Sequence, residues 1–134
     1  MAIPKKEQID ALFNRGYTVL EGVHMTRTFI QTKEFSSNWE RLGFRDDDLR
    51  RLELDIMSDP SKYPVMQGTG GLRKARFAFE NQGKSGGVRV CYVDFVIKET
   101  IYLITIYPKN EKDNLSKDER NEIKKMITLL ENSL

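Results

Sequence analysis

Stretches of apolar and polar residues in the middle of this chain predict the strands of a sheet. β-branched and aromatic residues favour a first strand at 26–32, and strict alternation favours a second at 74–80. Two apolar runs follow at 88–97 and 101–107, separated by a short connection. Because short connections join antiparallel neighbours, we expect the last three strands to form a meander.

Helical spacing of apolar residues predicts three helices. Ser36 or Ser37 is expected to cap the first, and the second spans 46–59. The third begins at a capping box formed by Ser116 and Glu119. The resulting order of strand, helix, helix, three strands and helix favours an α+β fold, with helices packed on one side of a small, mostly antiparallel sheet.

The first 24 residues predict an N-terminal extension that precedes the main domain at 25–134. A short helical pattern at Ile9, Leu12 and Phe13 is closed by Gly16, and a strand pattern follows at 17–20.

The composition excludes several classes of protein. Apolar residues make up 39% of the chain, and no run of about eighteen apolar residues predicts a membrane span. No secretory signal is apparent, so we expect a cytoplasmic protein. The single cysteine, Cys91, cannot form an internal disulfide, and its apolar surroundings favour a buried thiol over a nucleophile.

Positive charge is concentrated in the middle of the chain. Residues 62–112 contain nine bases and four acids, although the whole chain carries a formal charge of only +2. Lys74 and Arg76 share one face of a predicted strand, and Arg89 begins the next. Because neighbouring strands lie about 5 Å apart, these cations are expected to converge with Tyr107 and Lys109 on one face. Such a cluster suits a phosphodiester.

The glycines just ahead of this cluster, in the segment QGTGGLRKARF at 67–77, have two uses that the sequence leaves open. They either offer backbone amides to a phosphate or turn the chain where φ is positive. The segment is not a Walker loop, because no Gly-Lys-Ser or Gly-Lys-Thr precedes a helix.

The residue types also limit the chemistry. The only histidine, His24, lies in the N-terminal extension, so a paired-histidine ribonuclease is disfavoured. The aspartates at 46–48 suit the first turn of a helix better than a metal site, because no second acid cluster accompanies them. No metal or cofactor is therefore expected. Charge stabilisation of a phosphoryl transfer remains, with an RNA 2′-hydroxyl as the nucleophile.

Three segments together resemble a known family. QGTGGLRKARFA, GKSGGVRVCYV and IYLITIYPKNEKDNLS, in this order and spacing, are similar to the RelE/HigB family of type II toxin–antitoxin toxins, particularly its HigB-like branch. The resemblance covers about residues 25–134 and implies a RelE-like fold.

This resemblance implies a ribosome-dependent mRNA endonuclease that acts without a metal and halts translation. Lysine of lowered pKa is a candidate base where histidine is missing, which favours Lys74. The residues implied to be catalytic are Lys74, Arg76, Arg89, Tyr107 and Lys109. Those implied to contact ribosomal RNA or mRNA through phosphate are Arg73, Lys84 and Lys112.

The resemblance also implies partners. A HigA-like antitoxin with a helix-turn-helix domain would neutralise the toxin, and DNA would be contacted only through that antitoxin. Two other functions stay open at this point. One is a ParE-like toxin that binds gyrase without cleaving RNA, and the other is a catalytically silent RNA-binding or regulatory module.

Overall fold

Five strands and three helices form the described part of the chain. The structure is a computed structural model and describes residues 11–22, 25–80 and 87–133. The strands are β1 (Phe13–Glu21), β2 (Thr26–Thr32), β3 (Arg73–Phe77), β4 (Val88–Phe95) and β5 (Thr100–Pro108). The helices are α1 (Lys33–Arg41), α2 (Asp46–Ser58) and α3 (Lys117–Ser133).

All five strands belong to one sheet, in the order β1-β2-β5-β4-β3. Strands β2 and β5 are parallel, and the other three pairs are antiparallel. The predicted meander of three strands is therefore confirmed as β3-β4-β5. The predicted α+β class is confirmed as well, since helices and a mixed sheet are separate layers.

Helices cover both faces of the sheet, whereas the sequence had suggested one side. Helices α1 and α2 pack on the face that carries Val90 and Tyr92, and α3 packs on the face that carries Cys91 and Val93. The reason is that β4 and β5 are apolar in almost every position, so both of their faces need cover from water.

A bulge in β5 decides which face its last residues occupy. Cys91 pairs with Thr105 while Tyr92 pairs with Leu103, so that Ile104 is an additional residue on β5. An extra residue shifts the alternation of side chains that follow it. As a result Tyr107 faces the α3 side of the sheet.

Strand β1 forms one edge of the sheet and begins earlier than the sequence suggested. Phe13 is already part of the strand and packs against Tyr102, with ring centroids 5.1 Å apart. The predicted helix that would end at Gly16 is therefore wrong over its described part, and Ile9 lies outside the described residues. The strand predicted at 17–20 is confirmed within β1, and the division of the chain at residue 24 stays a prediction.

The helix starts were predicted with mixed success. Helix α1 is capped by the Thr32 hydroxyl, which accepts from the Phe35 amide at 2.9 Å, so the prediction of a serine cap is wrong. The predicted start of α2 is confirmed at Asp46. The capping box of α3 is also confirmed, because Ser116 and Glu119 exchange backbone-to-side-chain hydrogen bonds at 2.9 and 3.1 Å.

Candidate active site

Two rows of side chains cross the meander on its α3 face. Arg76 of β3 lies opposite Arg89 of β4, which in turn lies opposite Tyr107 of β5. In the neighbouring row Lys74 lies opposite Cys91. Directly opposed residues have Cβ atoms about 5 Å apart, so the register alone brings four of the predicted catalytic side chains together.

An open cleft of about 520 Å³ lies at these rows. Three of its side chains are cations and one is an acid, which leaves the cleft with an excess of positive charge. Its lining is formed by Tyr63, Pro64, Lys74, Arg76, Arg89, Asp113 and Asn114. The structure brings Lys74, Arg76 and Arg89 together at this cleft, as the sequence predicted.

The glycine segment ahead of β3 makes a turn and does not line this cleft. Gly68 and Gly70 each have φ of 77°, and Gly71 has φ of 121°. A residue with a Cβ is strained in such conformations. The buried Thr69 hydroxyl closes the turn by donating to the Met66 carbonyl and accepting from the Leu72 amide. Of the two uses considered for these glycines, the structure supports the turn.

Arg89 is buried in the wall of the cleft. Arg89 is only 6% exposed, and its Nη1 has no hydrogen-bond partner among the described residues. A buried guanidinium without a partner is costly, and arginine cannot relieve that cost by losing its proton. The Arg89 site therefore favours an anion in the cleft.

Tyr107 lies beside Arg89, is also buried, and is not among the residues that line the cleft, so its predicted convergence on the cleft is wrong. Its hydroxyl faces the Cys91 thiol and has no oxygen or nitrogen partner among the described residues. Burial, followed by the neighbouring Cys91, raises the pKa of the Tyr107 phenol above its ordinary value. The phenol therefore stays protonated near neutral pH, and it can donate a hydrogen bond but cannot act as a base.

Cys91 forms part of the floor beneath these side chains. It is fully buried, and burial raises the pKa of its thiol to about 12. The predicted buried cysteine is confirmed, and the thiol stays protonated under ordinary conditions.

Lys74 and Arg76 differ in how firmly they are held. Lys74 Nζ donates to Asn114 Oδ1 at 2.9 Å, which fixes the ammonium at the edge of the cleft. Arg76 is exposed and makes no hydrogen bond or ion pair with the described residues. Arg76 is thus an exposed cation, while Lys74 is oriented by Asn114, a loop residue that sequence reasoning had not singled out.

The remaining predicted site residues lie elsewhere. Lys109 follows the end of β5, is exposed, and is not part of the cleft lining. Arg73 faces the opposite side of β3 and donates from Nη1 to the carbonyl oxygens of Ser61 and Tyr63, at 3.0 and 2.6 Å. Lys84 lies outside the described residues.

Lys112 lies near Tyr107 but is paired within the chain. Its Nζ is 2.6 Å from Glu119 Oε2 and 5.1 Å from the centroid of the Tyr107 ring. Sequence reasoning missed Glu119 as part of this neighbourhood. The capping box identified Glu119 only as the start of α3, and the sequence shows no signal for its contact with Lys112.

Two structural findings bear on other chemistries. Within residues 11–22, 25–80 and 87–133, no group of three histidine, cysteine, aspartate or glutamate residues is arranged to hold a metal ion. The Asp48 carboxylate instead accepts the Arg45 amide at 2.9 Å, at the start of α2. None of the described helices is long and apolar enough to cross a membrane.

Comparison with known families agrees with this geometry. A model of the family described as the RelE toxin of the RelE/RelB toxin–antitoxin system matches residues 27–133. The match begins at the second residue of β2, spans every later strand and helix, and includes all residues of the cleft lining. The chain therefore belongs to the RelE family of toxins from toxin–antitoxin systems.

Proposed function

We propose that this toxin is a ribosome-dependent mRNA endonuclease that cleaves by attack of the RNA 2′-hydroxyl on the adjacent phosphate, without a metal. The observation that carries the proposal is the buried Arg89 guanidinium, which has an unpartnered nitrogen at a cleft shared with Lys74 and Arg76. A fixed cation of this kind stabilises charge that develops on a phosphoryl group, and such stabilisation is often the largest catalytic contribution.

The proposed reaction forms one bond and breaks another at the same phosphorus. The 2′-hydroxyl loses its proton to a base and its oxygen attacks, the bond to the 5′-oxygen of the next nucleotide breaks, and that oxygen takes a proton from water. A cyclic phosphate and a 5′-hydroxyl result. Arg89 and Arg76 hold the non-bridging oxygens, and a catalytic role for the buried Tyr107 hydroxyl, which lies outside the cleft lining, stays a prediction. Lys74, oriented by Asn114, is the candidate base and would accept the 2′-hydroxyl proton as the free amine, since the raised pKa of Tyr107 disfavours the phenol in that role.

This mechanism requires an RNA substrate, because DNA has no 2′-hydroxyl to attack the phosphate. We propose the decoding ribosome with its mRNA as the substrate complex, which places the toxin in the cytoplasm. Lys109, Arg73, Lys84 and Lys112 stay predictions as catalytic or RNA contacts. Membership of the HigB-like branch and a HigA-like, helix-turn-helix antitoxin that alone contacts DNA stay predictions as well.

A translating extract tests the proposed function. Purified toxin is added to a defined mRNA with and without ribosomes, and 5′ ends are mapped. We expect new 5′-hydroxyl ends only when ribosomes translate the message. Intact mRNA together with inhibited gyrase would indicate a ParE-like toxin, and RNA binding without cleavage would indicate a silent regulatory module.

Arg89→Ala is the matching variant. We expect it to abolish growth inhibition and mRNA cleavage at equal expression while antitoxin binding is retained, because the site for the phosphate loses its buried cation. Arg120→Ala, which removes an arginine of α3 outside the cleft lining, is the control and should leave toxicity unchanged. Toxicity retained by Arg89→Ala removes Arg89 from the catalytic residues.

A further inference from the structure

The ring of Tyr107 is covered by a lysine that does not line the cleft. Lys112 Nζ lies 5.1 Å from the Tyr107 ring centroid, a distance at which an ammonium is attracted to an aromatic face. Tyr107 is only 4% exposed, and Arg89 is its direct cross-strand neighbour. Lys112 therefore contributes to the cover of the buried Tyr107 ring.

Lys112 is in turn held by the first turn of α3. Its Nζ is 2.6 Å from Glu119 Oε2, while the other carboxylate oxygen of Glu119 accepts the Ser116 amide at 2.9 Å. The hydrogen bond from Lys112, followed by that from the Ser116 backbone, lowers the pKa of Glu119 below its usual value. Glu119 therefore stays ionised and has both oxygens engaged.

We propose that Lys112 and Glu119 are positioning residues, whose ion pair fixes the Tyr107 ring against Arg89 so that the unpartnered Arg89 guanidinium addresses the phosphate in the cleft. This inference rests on the proposed function and adds to it an explanation of how the Tyr107 ring and Arg89 are held in position. It assigns Lys112 a role within the chain in place of the RNA contact that the sequence suggested. Catalysis depends strongly on such orientation, since small misplacements of a donor lower the rate.

Glu119→Gln is the most selective test. Glutamine can replace glutamate in a capping box, so the start of α3 is kept while the charge that holds Lys112 is lost. In the translating extract we expect kcat for mRNA cleavage to fall about tenfold, with KM changed less than about twofold, because orientation is lost and binding is kept. Lys112→Met should give the same loss. The double variant should be no worse than either single variant, because the two residues act as a unit.

Two control variants separate positioning from stability. Ser116→Ala breaks the capping box but keeps the ion pair, so it should lower the melting temperature and leave kcat unchanged. Glu122→Gln removes one partner of the exposed pair between Lys125 and Glu122, 3.5 Å apart on the same helix, and should change neither quantity.

A readout without cleavage completes the test. In Lys112→Met, carboxyl NMR should show the pKa of Glu119 rising toward its ordinary value, because the largest cause of its lowering is removed. If the wild type cleaves mRNA and the variants keep its kcat, this inference is overturned while the proposed function stands. A higher KM at constant kcat also overturns it and identifies Lys112 as an RNA contact. Absence of cleavage by the wild type overturns the proposed function and the inference with it.

Discussion

Two arginines of this protein are equally buried and differently satisfied. Arg27 and Arg89 are each 6% exposed. Arg27 Nε and Nη2 donate to the two Asp94 carboxylate oxygens at 2.8 and 3.3 Å, and Nη1 donates to the Thr26 carbonyl at 3.0 Å. Arg89 has a buried nitrogen with no partner among the described residues.

The difference between the two arginines shows that hydrogen-bond partners, and not burial, distinguish a cation that needs a ligand from one that does not. Arg27 and Asp94 form a closed pair on the face covered by α1 and α2, so neither requires a ligand. Arg89 lies on the opposite face at a cleft, where the RNA phosphate of the proposed function would supply the missing partner. The RelE-family toxin thus contains an internal comparison between a structural arginine and one for which we propose a catalytic role.

Asp94→Ala should have the largest effect, because it leaves the buried Arg27 without an anionic partner and with only the Thr26 carbonyl as an acceptor. Removing one member of a buried pair leaves an uncompensated charge and costs about 3–5 kcal/mol of the free energy of unfolding. Urea unfolding followed by circular dichroism measures this loss. The double variant Arg27→Met with Asp94→Leu should recover most of it, since an apolar pair replaces both charges. A loss below about 1 kcal/mol in Asp94→Ala would falsify the view that the pair is closed.

Arg89→Met should show the opposite division between stability and activity. Methionine keeps much of the apolar stem while removing an unpaired charge, so the free energy of unfolding should stay equal or rise. Loss of a fixed donor to the developing charge should lower mRNA cleavage about 100- to 1,000-fold. The two measurements are urea unfolding and single-turnover cleavage on ribosomes. A large loss of stability would show that Arg89 is held by partners as Arg27 is.

The convergence of the basic residues could be predicted from the sequence, whereas their partners could not. Alternation placed Lys74 and Arg76 on one strand face, and short connections placed Arg89 beside them. The inward orientation of Tyr107 depends on a bulge at Ile104, which no residue type signals. The contacts of Lys112 and of Arg73 depend on long-range packing, so both looked like surface cations in the sequence.

The N-terminal strand and the packing of helices on both faces of the sheet show the same division between what the sequence predicts and what depends on long-range packing. The apolar runs in β4 and β5 indicate that both faces of the sheet need cover from water. The meander topology alone suggested only one covered face. At Phe13, helical spacing over a few residues competed with pairing to β2, and the sheet prevailed.

A third buried charge extends the comparison to a group that can neutralise itself. Glu53 is 2% exposed, has one carboxylate oxygen without a partner, and has a pKa raised from 4.5 by burial, although Arg50 opposes the rise. A carboxyl group whose pKa is raised in the folded state binds more protons there than in the unfolded state. The contribution of Glu53 to stability is therefore greatest below pH 4.5 and is lost as the pH rises through its raised pKa.

Glu53→Gln should remove that dependence. At pH 7 the variant should be more stable than the wild type by about 1 kcal/mol, because an incompletely satisfied charge is removed from the interior. The difference should vanish as the pH falls below 4.5, where Glu53 is protonated in both states. Urea unfolding at several pH values measures this, and cleavage should be unchanged. An advantage that persists unchanged in acid would mean that the charge of Glu53 is already compensated.

Arg76→Met should have the smallest effect and completes the ranking of arginines by burial and partners. Arg76 lies directly opposite Arg89 but is exposed, so water already solvates its charge and a phosphate contact gains little. We expect affinity for ribosomes with bound mRNA to fall about fivefold, and the slope of log affinity against log salt to fall by about one. Binding measured over a series of KCl concentrations gives both quantities. If Arg76→Met instead impairs cleavage as strongly as Arg89→Met, burial without a partner does not distinguish the two arginines, and the cations of the cleft act as one group.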